Sequence, residues 1–159
     1  KEVDMYRVFL VFYAACLMAA VSLAQTPVGS LVVKYENVKG AQDFTARGGK
    51  MNFIRGFIKK TPVGPIADNI DELLILKLAK ASSQYKNSFI ADLKAALKDY
   101  EYCGKESYDN DVFEIYILRS GAEVVKDLVI YSPGACSINS LQGTIPVSEL
   151  EKLAASYGK

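Results

Sequence analysis

The chain has 159 residues, half of them apolar and 23% charged, with a formal net charge of +1. That is one ordinary domain with enough apolar material to close a core, and its near-neutral balance lacks the basic face that nucleic acid demands. It contains no histidine, which excludes Ser-His-Asp and Cys-His catalysis, histidine-bearing zinc sites and HExxH metalloprotease chemistry.

Arg7 precedes an apolar run from Val8 to Val21, and Ser22-Leu23-Ala24 sets small residues three before and one before a cut. The pattern predicts a secretory signal cleaved between Ala24 and Gln25, leaving residues 25–159 as a single domain in the periplasm or outside the cell. A membrane anchor would use the same run, but Val8 to Ala24 falls short of the roughly 20 residues that cross a bilayer comfortably. Cys16 follows two alanines, as a lipid-attachment cysteine does. Lipidation there would leave LMAAVSLA as the new terminus in place of a polar tether, which argues against it. Lys1 to Asp4 are expected to lie upstream of the true start. Removing residues 1–24 takes away Lys1 and Arg7 together with Glu2 and Asp4, so the remainder is also +1.

GAQDFTAR, from Gly40 to Arg47, is glycine-bounded and partly alternating, which predicts a strand. A helix follows from Gly49 to Lys60. Met51, Ile54, Phe57 and Ile58 recur at helical spacing with Phe53 at the edge of the same face, and TPVGP then stops it. The short apolar run within DELLILKLAKAS predicts a buried strand over Leu73 to Ala79. Tyr85, Phe89, Ile90, Leu93, Ala96, Leu97 and Tyr100 form one stripe of an amphipathic helix, with Ser82 or Ser83 as its cap.

Beyond Glu101 the turn signals Asp109-Asn110, Ser120-Gly121 and Pro133-Gly134 separate four extended runs. Phe113, Ile115 and Ile117 share a face opposite Glu114 and Tyr116. Val124, Leu128 and Ile130 oppose Glu123 and Asp127, so one face is expected to be buried. The last run changes phase between Ile138 and Leu141, which predicts a bulge or bend near Ser140. Pro146 ends it, and a closing helix takes Ser148 as cap and Gly158 as stop. The expected fold is α+β: a mainly antiparallel sheet of five or six strands, two early ones plus a C-terminal four-strand meander, with helices packed on one face. Simple hairpin succession sets Cys103 and Cys136 about 14 Å apart, too far for a disulfide.

With its export signal, its order of elements and the stretches KYENVKGAQDFTARGGKMNFIRGFIKK, DELLILKLAK, LVIYSPGACSINSLQGTI and LQGTIPVSELEKL, the chain resembles the domain-of-unknown-function 4252 family of Bacteroidetes envelope proteins. The resemblance implies a small α+β envelope domain. It supplies no catalytic residues, and the poor lipid-attachment site departs from lipid-anchored members.

Asp109 and Asp111 stand two apart as in calcium loops, but a complete site needs roughly six to eight oxygens, and a turn with Asx hydrogen bonds accounts for them. Asp68, Asp71 and Glu72 gather where an element begins, a common place for acids. No glycine motif cradles phosphate. No metal, cofactor or catalytic set is expected. The function anticipated is a noncatalytic envelope module that binds an envelope protein or an anionic membrane surface; the alternative is an enzyme built on carboxylate, tyrosine, serine or lysine groups. The candidate contact is the cationic set Arg47, Lys50, Arg55, Lys59 and Lys60, which no acid interrupts between Asp43 and Asp68.

Overall fold

The computed structural model describes residues 26–108 and 110–157. The expected signal and cleavage site, Cys16, Asp109 and Gly158 therefore lie outside the described residues. Helix α1 (Pro27–Tyr35) comes first, with Pro27 in its first turn and Thr26 as cap, Thr26 Oγ1 accepting the Gly29 N–H at 3.0 Å. It is absent from the sequence-based expectation, although Val28, Leu31, Val32 and Tyr35 recur at helical spacing and are all buried.

Strand β1 (Gln42–Arg47), helix α2 (Gly48–Ile58) and strand β2 (Ile70–Lys77) follow, with a 3-10 segment over Gly64–Asn69 between the last two. Helix α3 (Ser83–Ala96) is capped by Ser82, whose Oγ accepts the Tyr85 N–H at 3.3 Å. The meander β3 (Glu101–Tyr108), β4 (Asp111–Arg119), β5 (Val124–Ser132) and β6 (Ser137–Pro146) leads into helix α4 (Val147–Tyr157). Ser148 lies inside the first turn of α4, not at its cap, because the helix begins directly after Pro146.

All six strands form one antiparallel sheet in the order β1-β2-β6-β5-β4-β3. The α+β class, the strand number and the C-terminal meander match the expectation. Cys103 on the edge strand β3 and Cys136 just before β6 are both free thiols, as hairpin succession requires.

The expected single helical layer is instead divided between two faces. Successive residues of the central strands enter two separate cores, as side chains that alternate across a sheet must. Leu74, Leu76, Leu118, Val129, Tyr131 and Ile138 pack with α1 and α3. Leu73, Ile117, Leu128 and Leu141 pack with α2, the 3-10 segment and α4. Double coverage also explains why no bulge is needed near Ser140: Ile138 and Leu141 face opposite sides, and both sides are core. The irregularities fall later, where β6 slips against β2 and β5 over Gln142 to Ile145.

That slip brings β6 against the chain entering β2. A Cβ at Gly143 would overlap the Asn69 carbonyl, whereas a Cβ at Gly56, on the exposed side of α2, would meet nothing within 4 Å. Gly143→Ala is therefore expected to destabilise by about 1–3 kcal/mol, and Gly56→Ala to stabilise by up to about 1 kcal/mol through helix propensity. Urea unfolding of the two variants checks both signs. Equal effects would mean that the β2–β6 contact is looser than described.

Candidate functional site

The sheet register builds an unusual polar row beneath α1. Arg47 stands opposite Glu72, Glu72 opposite Gln142, and Gln142 opposite Asp127. Asp127 is 0% exposed, and Glu72 and Gln142 are buried. Asp127 had been expected on an open face; the second helical layer covers it.

The carboxylate is held from three sides. Tyr100 donates its hydroxyl to Oδ2 at 2.6 Å and Ser140 to Oδ1 at 2.7 Å. Gln142 Nε2 donates to Ser140 Oγ at 3.1 Å and to Thr26 Oγ1 at 2.9 Å, so the cap of α1 is tied to the same network. The Val28 N–H in the first turn of α1 makes a long 3.5 Å contact to the Tyr100 oxygen. The positive end of the helix thus leans on the buried acid. Burial pushes the Asp127 carboxyl above its ordinary range, while the hydrogen bonds from Tyr100, Ser140 and Thr26 oppose the shift. Tyr100 is also raised, first by burial and then by the Asp127 charge. Glu72 is raised by burial against the pull of Arg47. Arg47 Nη2 lies 2.7 Å from Glu72 Oε1 as an ion pair, although no hydrogen bond is aligned on that oxygen.

A carboxylate between a phenol and a serine could in principle move a proton. Chemistry on a substrate, however, requires the group to come within hydrogen-bond reach of a reacting atom, and α1 seals Asp127 from solvent. The two clefts described lie elsewhere, on the outer seam of α1 and α3, with volumes of about 270 and 480 Å³. Both include Lys34 and Asp92, whose Nζ and Oδ2 are 2.7 Å apart, and the Tyr35 hydroxyl donates to the same oxygen at 2.7 Å. Hydrogen bonds from Lys34 and then Tyr35 hold Asp92 below its usual range. Burial and the Asp92 bond push Tyr35 up to about 12. Lys34, Tyr35 and Asp92 thus already satisfy one another within the clefts. Among the described residues no group of three or more Cys, Asp or Glu is placed to hold a metal ion, and no helix is long and apolar enough to cross a membrane.

The outer face of α2 is different. Met51 and Ile58 are buried and Ile54 half-buried, yet Phe53 is 70% and Phe57 57% exposed. Their ring centroids are 5.3 Å apart in an edge-to-face pair. Both had been expected on the core side of the helix. At about 100° per residue Phe53 lies roughly 200° around from Met51, so the sequence carried the signal for its exposure.

The structure disperses the predicted cationic set. Arg47 joins the polar row under α1. Arg55 clamps the 3-10 segment, donating from Nε to the Ala67 carbonyl at 3.1 Å and from Nη2 to the Ile70 carbonyl at 2.9 Å. Lys59 pairs with Asp68 at 2.8 Å. Lys50 lies over the Phe44 ring at 4.2 Å and donates to the Thr45 carbonyl, and it remains exposed, as does Lys60. Lys50, Phe53 and Phe57 then fall at i, i+3 and i+7, within about 60° of one another around the α2 axis, and Lys60 follows in the turn just past the helix end. Two exposed rings flanked by two ammonium groups make up the resulting stripe.

Comparison of the chain with family models, curated proteins and solved structures gives no match.

The buried row generates a pH prediction. Because the folded-state pKa of Asp127 is raised, its protonated form favours the fold. This contribution is present below the unfolded value of about 3.9 and is lost as pH rises through the folded value. The stability of the wild type relative to Asp127→Asn should therefore fall as pH rises above about 4. Asp127→Ala, which leaves the Tyr100 and Ser140 hydroxyls unpaired, should cost about 2–4 kcal/mol. A stability difference between wild type and Asp127→Asn that does not change with pH would contradict the buried-acid assignment.

Proposed function

We propose that this protein is an exported, noncatalytic envelope domain that acts by binding, and that the outer face of α2 is its contact surface. The exposed Phe53–Phe57 pair carries this reading. Scattered apolar side chains at a surface are ordinary, but two packed aromatic rings projecting together at a monomer surface are a common mark of a contact. The secretory pattern ending at Ala24 and the resemblance to the domain-of-unknown-function 4252 family support placing the domain in the periplasm or outside the cell.

The alternative, an enzyme without histidine, would have to draw on Asp127, Tyr100 and Ser140, the described groups with the most suggestive chemistry. Their enclosure beneath α1 counts against it, since the acid makes no opening to a cleft and its hydrogen bonds tie the helix to the sheet.

Expression in cells with a photo-crosslinking residue at position 53 or 57 tests the proposal. The expected result is a chain in the envelope or medium whose intact mass begins at Gln25, crosslinked through α2 to an envelope component. A full-length chain confined to the cytoplasm would overturn the export reading. Crosslinks from a control position on β3, with none from α2, would move the contact surface elsewhere.

A further inference from the structure

We infer that the partner of the α2 face is an anionic lipid bilayer, an inference that rests on α2 being the contact surface. Phe53 and Phe57 would enter the interface between headgroups and acyl chains, with Lys50 and Lys60 at headgroup level on either side.

Shape is the first argument. The rings stand on the convex outside of a helix, and the two clefts described above lie on the other face of the sheet. A rigid protein partner must carry a surface shaped to receive the two rings, whereas a fluid bilayer closes around any protruding pair. The glycines beside the stripe fit the same picture: Gly49 and Gly56 are exposed and carry nothing within 4 Å of a notional Cβ. No side chain at those positions would hold headgroups away from the rings.

Charge complementarity is the second. No acid lies in α2, and none occurs between Asp43 and Asp68. Of the five cations in that interval, Arg47 and Lys59 are neutralised by Glu72 and Asp68. Lys50, Arg55 and Lys60 have no acidic partner among the described residues, so the region keeps a net charge of +3, with the two lysines at the ends of the aromatic stripe. Lys50 stands in the first turn of α2 and Lys60 just past its last residue, Ile58, a helix of 11 residues, so the two lysines bracket the rings along the axis and both can touch headgroups while the rings are immersed. Cations in this position add attraction to an anionic surface that salt screens.

The chain has no tryptophan, so Phe53→Trp introduces a single indole as a reporter at the proposed depth. The secreted protein carrying it is mixed with vesicles of phosphatidylglycerol and phosphatidylcholine in equal parts, or with phosphatidylcholine alone. The expected result is a blue-shifted emission with the anionic vesicles that salt diminishes. In co-sedimentation of the tryptophan-free protein, Phe53→Ser with Phe57→Ser should reduce binding at least tenfold. Lys50→Gln with Lys60→Gln should reduce it about tenfold on anionic vesicles only, and Lys59→Gln should change little. Because all these side chains are exposed, circular dichroism should show the fold retained. Vesicle binding that ignores both double substitutions would overturn the inference. Absence of vesicle binding together with α2 crosslinks to an envelope protein would overturn the lipid partner and leave the binding module standing. Absence of both would overturn the binding module as well.

Discussion

A sheet whose central strands are apolar on both sides must be covered twice, and the helices of this chain are arranged to meet that demand. The alternation of Leu73, Leu74, Ile75 and Leu76 along β2 sends neighbours into opposite cores. Removing water from such side chains is worth about 1.5–3 kcal/mol each, so an uncovered face would not be tolerated. Helices α1 and α3 close one side; α2, the 3-10 segment and α4 close the other. Elements this short are spent on coverage, and α2 turns only Met51, Ile54 and Ile58 inward.

The same constraint encloses Asp127. An acid on a half-open sheet would be solvated and of little consequence. Covered by α1, it must be hydrogen-bonded, because an unpaired buried polar group costs more than the bonds return. Tyr100, Ser140, Gln142 and Thr26 meet that requirement and in doing so fix α1 to β5 and β6. The network resembles catalytic equipment in its residue types while its position makes it a fastening.

The strands and the α3 helix were readable because turn residues punctuate them and their polar residues keep phase. What the sequence obscured follows from double coverage. One-sided logic assigned Asp127 to solvent and turned the Ile138–Leu141 phase change into a bulge, since it allowed only one buried face. Helix α1 was missed just after the apolar run that ends near Ala24, although Thr26, Pro27 and the stripe Val28, Leu31, Val32 and Tyr35 specify it. In α2 the apolar residues were identified and their depth was not: the five span about 160° of the helix, and only Met51, Ile54 and Ile58, within about 60° of one another, reach the core, which leaves Phe53 and Phe57 at the outer edge of the arc. The cationic set was legible as composition. Its partners were not, because the contacts of Arg47 with Glu72 and of Arg55 with the Ala67 and Ile70 carbonyls depend on strand pairing and on the path of the 3-10 segment.

The buried Asp127 and the proposed contact surface on α2 lie on opposite faces of the sheet, so a partner that meets one need not disturb the other. Backbone amide NMR spectra of the protein, recorded as detergent-free envelope membranes are added, report which residues meet a partner. The account predicts broadening concentrated in Gly49 to Lys60, with the amides around Lys34, Asp92 and Asp127 unchanged. Broadening centred on the α1–α3 clefts or around Asp127, with α2 left sharp, would contradict it.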